Sequence, residues 1–170
     1  MADYDVLVVG AGIIGTAVFE ALSIAGMNCL LVESRRVGFG ATGYSGAMVR
    51  LSHPDATSVA AAGLGLHRYS QFEKESGGRT SLSRCGHLYF GAADELSGIL
   101  EHVQSVSPSA RILDRDEIPH QFPGMTVTAE AALYEPDAGF GNPIAFAKHQ
   151  CANGISHGGT LAEATSLHHL

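Results

Sequence analysis

Tyr4-Asp5-Val6-Leu7-Val8-Val9-Gly10-Ala11-Gly12-Ile13-Ile14-Gly15 is followed, one helix length later, by Cys29-Leu30-Leu31-Val32-Glu33. Val6 to Val9 reads as a short buried strand of β-branched and leucine residues. Ile13, Ile14, Ala17, Val18, Ala21, Leu22 and Ile24 fall on one wide helical face, and Gly26 and Asn28 mark the helix stop. A strand, a glycine turn, a helix and a second strand ending in an acid form the fingerprint of a fold that holds the ADP half of a dinucleotide.

Each glycine has its own task. Gly10 permits the tight turn off the strand, Gly12 lets a pyrophosphate approach bare backbone, and Gly15 lets the helix pack closely on the sheet. The diphosphate then faces the free N–H groups and positive dipole end of the helix, where Ile13 and Ile14 stand. Glu33 lies 23 residues after Gly10, where a carboxylate accepts from two ribose hydroxyls. That acid argues against a 2′-phosphate, although Arg35 and Arg36 follow closely. The competing reading is an ordinary βαβ unit with a glycine turn and no ligand.

Composition narrows the class. The 170 residues are 45% hydrophobic and 16% charged, which is globular and long enough for a real core. A formal net charge of −7 without a basic run excludes nucleic acid as an expected partner. Cys29, Cys85 and Cys151 form no CxxC pair, and the nine histidines follow no ligand spacing, so no metal is expected. Cys29 reads as core, and His168 and His169 as a frayed end. No room for a signal peptide is seen before the first strand, and no apolar run is long enough to span a bilayer. The expectation is a soluble, cytoplasmic protein.

Ser34 to Arg50 is rich in glycine and small residues, which lets backbone run close to a flat cofactor, with Thr42 and Ser45 hydroxyls available. A passive linker is the alternative. His53-Pro54-Asp55 starts a helix, with Pro54 in its first turn and apolar residues from Val59 through Phe72, ending at Ser76-Gly77-Gly78. Gly86 to Gly91 reads as a strand, Asp94 to Val106 as a helix and Arg111 to Leu113 as a short strand. Asp114 caps a short helix near Arg115, limited by Pro119 and Pro123. Ala131 to Tyr134 is strand-like, Pro136 to Gly139 turns, and Pro143 begins a helix to about Ala152. Gly158-Gly159 breaks it before a strand at Thr160-Leu161-Ala162.

Four motifs in this order resemble the FAD-dependent D-amino-acid oxidase superfamily, which includes sarcosine oxidase, glycine oxidase and dimethylglycine dehydrogenase-like enzymes. They are Val9 to Gly15 with Glu33; Gly40-Ala41-Thr42-Gly43-Tyr44-Ser45-Gly46-Ala47-Met48-Val49-Arg50; Arg84-Cys85-Gly86-His87-Leu88-Tyr89-Phe90; and Glu135-Pro136-Asp137-Ala138-Gly139-Phe140-Gly141-Asn142-Pro143. The resemblance covers nearly the whole chain. It implies a Rossmann-like α/β FAD-binding three-layer unit from residues 1–52 and 143–170. An inserted α+β segment, 53–142, would be part of a substrate domain.

The resemblance implies FAD as cofactor and hydride removal from a carbon next to an amine, in a small amine or amino-acid substrate. Gly10, Gly12, Ile13, Ile14 and Gly15 would hold pyrophosphate, and Glu33 with Ser34 the adenosine ribose. Thr42, Gly43, Ser45, Gly46, Ala47 and Met48 would border phosphates and flavin. Arg50 matches an arginine facing the substrate carboxylate, a bidentate role that suits a guanidinium fork; a structural arginine is the alternative. Gly43 and Ala47 stand where sarcosine-oxidase-like members carry polar side chains. Family members run to about twice this length. The chain is therefore expected to be the N-terminal part of such an enzyme, truncated or completed by a second chain. Its sheet would then keep an open edge and exposed apolar surface, leaving the isolated chain marginal or aggregation-prone. A nucleotide-binding subunit without turnover and an NAD-linked dehydrogenase stay open. No residue is assigned as catalytic acid or base.

Overall fold

The computed structural model describes residues 3–77 and 82–167; Gly78, His168 and His169, named above, lie outside them. The chain begins with β1 (Val6–Val9), α1 (Ile13–Ile24), β2 (Cys29–Val32), α2 (Ala41–Tyr44) and β3 (Met48–Val49). It continues through α3 (Ala56–Glu75), β4 (His87–Gly91), α4 (Ala93–Gln104), β5 (Arg111–Asp114) and α5 (Glu117–Gln121). It closes with β6 (Ala131–Glu135), β7 (Gly139–Phe140), α6 (Pro143–Ser156) and β8 (Thr160–Ala162). Two compact units result: Met1–Ala47 with Asn142–Leu170, and Met48–Gly141.

The first unit has the expected Rossmann-like α/β character. β1, β2 and β8 form a parallel sheet in the order β1-β2-β8, in register from Val6↔Cys29 to Val9↔Val32 and from Leu30↔Thr160 to Val32↔Ala162. Side chains alternate across a strand. Val6, Val8, Cys29, Leu31 and Leu161 therefore meet α1 and α6 in one core with Phe19, Ala147 and Cys151. Leu7 and Val9, on the alternate positions of β1, are 40% and 56% exposed.

α1 and α6 are joined by polar pairs as well as by Phe19. Thr16 Oγ1 donates to Gln150 Oε1 at 2.8 Å, and Asn153 Nδ2 donates to Glu20 Oε1 at 2.6 Å. Asn142 caps α6 by accepting from the Ala145 N–H at 3.0 Å, with Pro143 in the first turn. The helix runs to Ser156, four residues past the expected stop near Ala152.

The second unit packs α3 and α4 on one face of an antiparallel sheet ordered β4-β6-β5, around Val59, Leu96, Ile99, Val103 and Leu133. Ile118 of α5 covers Leu113 and Ala132 on the other face, with Phe122 and Val127 packed beside them. β3 and β7 pair antiparallel, Met48 with Phe140.

Two local expectations need correction. Pro54 lies outside the first turn of α3, because Asp55 is the cap and its Oδ1 accepts from the Ser58 N–H at 2.9 Å. The short helix starts at Glu117 rather than near Arg115, and Pro119 sits within it. Asp114 still holds its start, accepting from the Asp116 and Glu117 N–H groups at 2.9 and 2.8 Å. The small-residue stretch Ser34 to Arg50 contains α2 and β3. Among the described residues no helix is long and apolar enough to cross a membrane.

Candidate functional site

The bend after β1 is built on bare backbone. Gly10 turns with φ +95°, a left-handed conformation that side chains disfavour, and its N–H donates to Val32 O at 2.8 Å. Gly12 caps α1 without a side chain. A Cβ on Gly15 would stand 1.9 Å from Gly10 O, so the helix can approach the bend this closely only at a glycine.

Glu33, at the end of β2, turns back to this bend. Its Oε2 accepts from the Ala11 N–H at 2.9 Å, while Oε1 accepts from the Arg35 N–H at 2.8 Å and the Ser34 hydroxyl at 3.2 Å. Burial pushes its pKa up, but the hydrogen bonds from Ala11, Arg35 and Ser34, with the Arg35 charge, outweigh burial. The carboxyl is held below its ordinary value, ionised and able to accept from hydroxyl donors.

Thr42 arrives from α2. It is buried, and its Oγ1 accepts from the Ile13 N–H at 3.0 Å; Ser45 Oγ donates to Thr42 O at 2.9 Å. These groups surround an open cavity of about 610 Å³ lined by Gly10, Gly12, Ile13, Ile14 and Gly15, by Ala41, Thr42 and Ser45, and by Val8, Val9, Val18 and Pro143. Its size is that of a small-molecule cleft. The helix N-terminus, two hydroxyls and bare glycine backbone suit a nucleotide diphosphate, and the ionised acid beside the bend suits the hydroxyls of its ribose. Two of these donors are already engaged: Ile13 N–H is bound to Thr42 Oγ1, and the Ser45 hydroxyl to Thr42 O.

The cavity thus gathers Gly10, Gly12, Ile13, Ile14, Gly15, Thr42 and Ser45 of the expected residues, with Glu33 and Ser34 joined to the bend through Ala11. Gly43, in α2, is packed so that a Cβ would lie 2.9 Å from Gly38 O. Gly46 and Ala47 are not among the lining residues. Met48 and Arg50 belong to the second unit.

Arg50 is half-buried there. Its Nη1 donates to both the carbonyl and the hydroxyl of Ser52, and its guanidinium lies over the Tyr89 ring, 5.9 Å from the centroid. Ser52 is held by Glu135, which is 1% exposed and accepts from the Leu51 N–H at 2.6 Å and the Ser52 N–H at 3.1 Å. His87 Nδ1 lies 3.3 Å from Glu135 Oε1 and 3.4 Å from Ser52 Oγ. Burial raises the Glu135 pKa, but hydrogen bonds from His87, Ser52 and Leu51 more than offset this and hold it below the ordinary value.

Sequence reasoning assigned no role to Glu135, Ser52 or His87. One signal was available. Ala131-Ala132-Leu133-Tyr134-Glu135 repeats the pattern of Cys29-Leu30-Leu31-Val32-Glu33, an apolar strand closed by an acid.

Residues 5–170 match the protein family described as FAD dependent oxidoreductase. The chain is 34% identical over 143 residues to 4-methylaminobutanoate oxidase (formaldehyde-forming) of Paenarthrobacter nicotinovorans, covering 81% of this chain and 17% of that protein. Among solved structures, L-proline dehydrogenase from P. horikoshii superposes with a TM-score of 0.84 at 20% identity, covering 98% of this chain and 45% of that one. Glycine oxidase from Bacillus cereus gives 0.72 at 18% identity, covering 95% and 48%. The chain therefore spans less than half the length of each of these relatives. The match over residues 5–170, together with the glycine bend and the acid turned towards it, shows that this chain belongs to the FAD dependent oxidoreductase family.

Proposed function

We propose that this chain is the N-terminal portion of an FAD-dependent oxidoreductase that oxidises a small amine or amino acid by hydride transfer to flavin. The observation that carries the reading is the Glu33–Ala11 hydrogen bond, which sets an ionised carboxylate beside an open glycine bend at the start of a helix. In this reading residues 1–52 and 143–170 hold the nucleotide and 53–142 supply part of a substrate domain. When bound, FAD supplies the hydride acceptor.

The chain's own residues do the positioning. Gly10, Gly12, Ile13, Ile14 and Gly15 border the pyrophosphate, and Glu33 with Ser34 takes the adenosine ribose. Thr42, Gly43, Ser45, Gly46, Ala47 and Met48 border the phosphates and flavin. Arg50 takes the substrate carboxylate; the name of the 34% identical relative, a methylaminobutanoate oxidase, supports a substrate carrying an amine and a carboxylate. β1 is an edge strand of the sheet β1-β2-β8, which supports a further segment, in this polypeptide or a second chain, completing the sheet. Three unpaired cysteines fit a reducing compartment, and we assign the protein to the cytoplasm on that basis.

An absorbance spectrum of the protein titrated with FAD, followed by anaerobic 4-methylaminobutanoate, tests the reading. Flavin binding with bleaching on substrate is expected. Binding without bleaching by any amine would favour a nucleotide-binding subunit without turnover. A requirement for nicotinamide in place of flavin would overturn the proposal in favour of an NAD-linked dehydrogenase.

A further inference from the structure

Among the described residues Arg50 has no ion-pair partner. A guanidinium has five N–H donors. Nη1 is engaged by Ser52, through its carbonyl and its hydroxyl. The Nε–H and Nη2–H donors remain, side by side, and this edge matches the two oxygens of a carboxylate. Tyr89 beneath the plane limits its rotation.

The direction of that edge depends on Ser52, and Ser52 depends on Glu135. A buried carboxylate that accepts two successive backbone N–H groups fixes the peptide plane between them. Here those groups belong to Leu51 and Ser52, the two residues that follow Arg50. His87, on the strand opposite Glu135, closes the arrangement from the other side.

We infer that Glu135 is a positioning residue, acting through Ser52 to aim the free edge of Arg50 at the carboxylate of an amine substrate. The inference rests on the reading of Arg50 given under Proposed function. Glu135 touches no substrate itself. Its partners in sequence are distant, but in space they form one chain of contacts: His87, Glu135, Ser52, Arg50.

The test compares two probes on the full FAD-loaded chain by calorimetry: 4-methylaminobutanoate, and N-methylbutylamine, which lacks the carboxylate. The measured quantity is the ratio of their dissociation constants, which a general loss of structure would not change selectively. Wild-type protein prefers the carboxylate probe. Glu135→Gln keeps the volume but turns an N–H₂ toward one of the two backbone donors, and it is expected to reduce the preference at least tenfold with binding of the carboxylate-free probe unchanged. Ser52→Ala removes the hydroxyl that accepts from Arg50 while leaving the backbone contacts of Glu135, and it is expected to reduce the preference about threefold; Glu135→Asp, one methylene too short to reach both N–H groups, decides the matter if Glu135→Gln does not fold. A folded Glu135→Gln protein with unchanged preference overturns the positioning role. Arg50→Met separates the two levels. If it lowers the preference while the Glu135 and Ser52 variants do not, only the positioning role falls. If Arg50→Met also leaves the preference intact, the Arg50 reading falls, and this inference with it.

Discussion

The Glu33 carboxylate accepts the Ala11 N–H at 2.9 Å, so the acid ending β2 fastens the bend that ends its neighbour β1. The contact spans 22 residues of sequence and is buried. It places the acid before any ligand arrives, which reduces the ordering cost of binding.

Replacing Glu33 by alanine removes both the acceptor for ribose hydroxyls and the partner of the Ala11 N–H. Hydrogen bonds to a charged group contribute about 1.5–3 kcal/mol, so ADP affinity is expected to fall roughly 10- to 100-fold. Calorimetric titration with ADP measures this. An unchanged affinity would mean that the ribose binds elsewhere.

Gly154 lies against Phe19, where a Cβ would come within 2.5 Å of the ring. Gly154→Ala is expected to destabilise the protein by about 1–3 kcal/mol through overpacking. Much of that cost should disappear in a Phe19→Leu background, because the two positions share one space. Urea midpoints of the two single variants and the double variant give the coupling directly; strictly additive losses would contradict it.

Acid should weaken this fold through two particular carboxylates. Glu33 and Glu135 both have pKa values lowered in the folded protein, so the unfolded chain binds their protons first as pH falls. Their contribution is complete above the unfolded carboxyl range near 4.5 and disappears as pH drops through the folded values. Urea midpoints between pH 7 and pH 3 should decline below about pH 5, following the unfolded carboxyl range. In Glu135→Gln the decline should be shallower.

The thiols should separate by reactivity. Cys151 is buried, and burial, with the nearby Glu163 charge, pushes its pKa up to about 11. Cys29 is buried in the core, whereas Cys85 is exposed. Iodoacetamide at pH 8 should label only Cys85 in the native protein and all three cysteines after denaturation, as read by intact mass. Native labelling at Cys151 would show that the α1–α6 seam opens.

The opening β1–α1–β2 unit was legible because its signals are local: apolar strands, glycines at fixed offsets and a terminal acid within 33 residues. The cavity residues near it were legible for the same reason. Elsewhere tertiary contacts overrode local preference. Asn153 and Gly154 look like helix breakers, yet α6 continues through them because Asn153 bonds Glu20 and Gly154 fits against the Phe19 ring. The strand pattern marks Glu135 as a terminal acid, but not what it holds, because its backbone partners lie 84 and 83 residues away. A buried carboxylate serving distant peptide groups leaves no periodic trace.

The pairing of β3 with β7 has a consequence for how such proteins diversify. The polypeptide leaves the first unit just before Met48 and returns just after Gly141, and Met48 is the ladder partner of Phe140. Doorway and exit are one strand spacing apart. An insertion or deletion between them therefore lengthens or shortens the second unit while the two ends to be joined to the first stay paired.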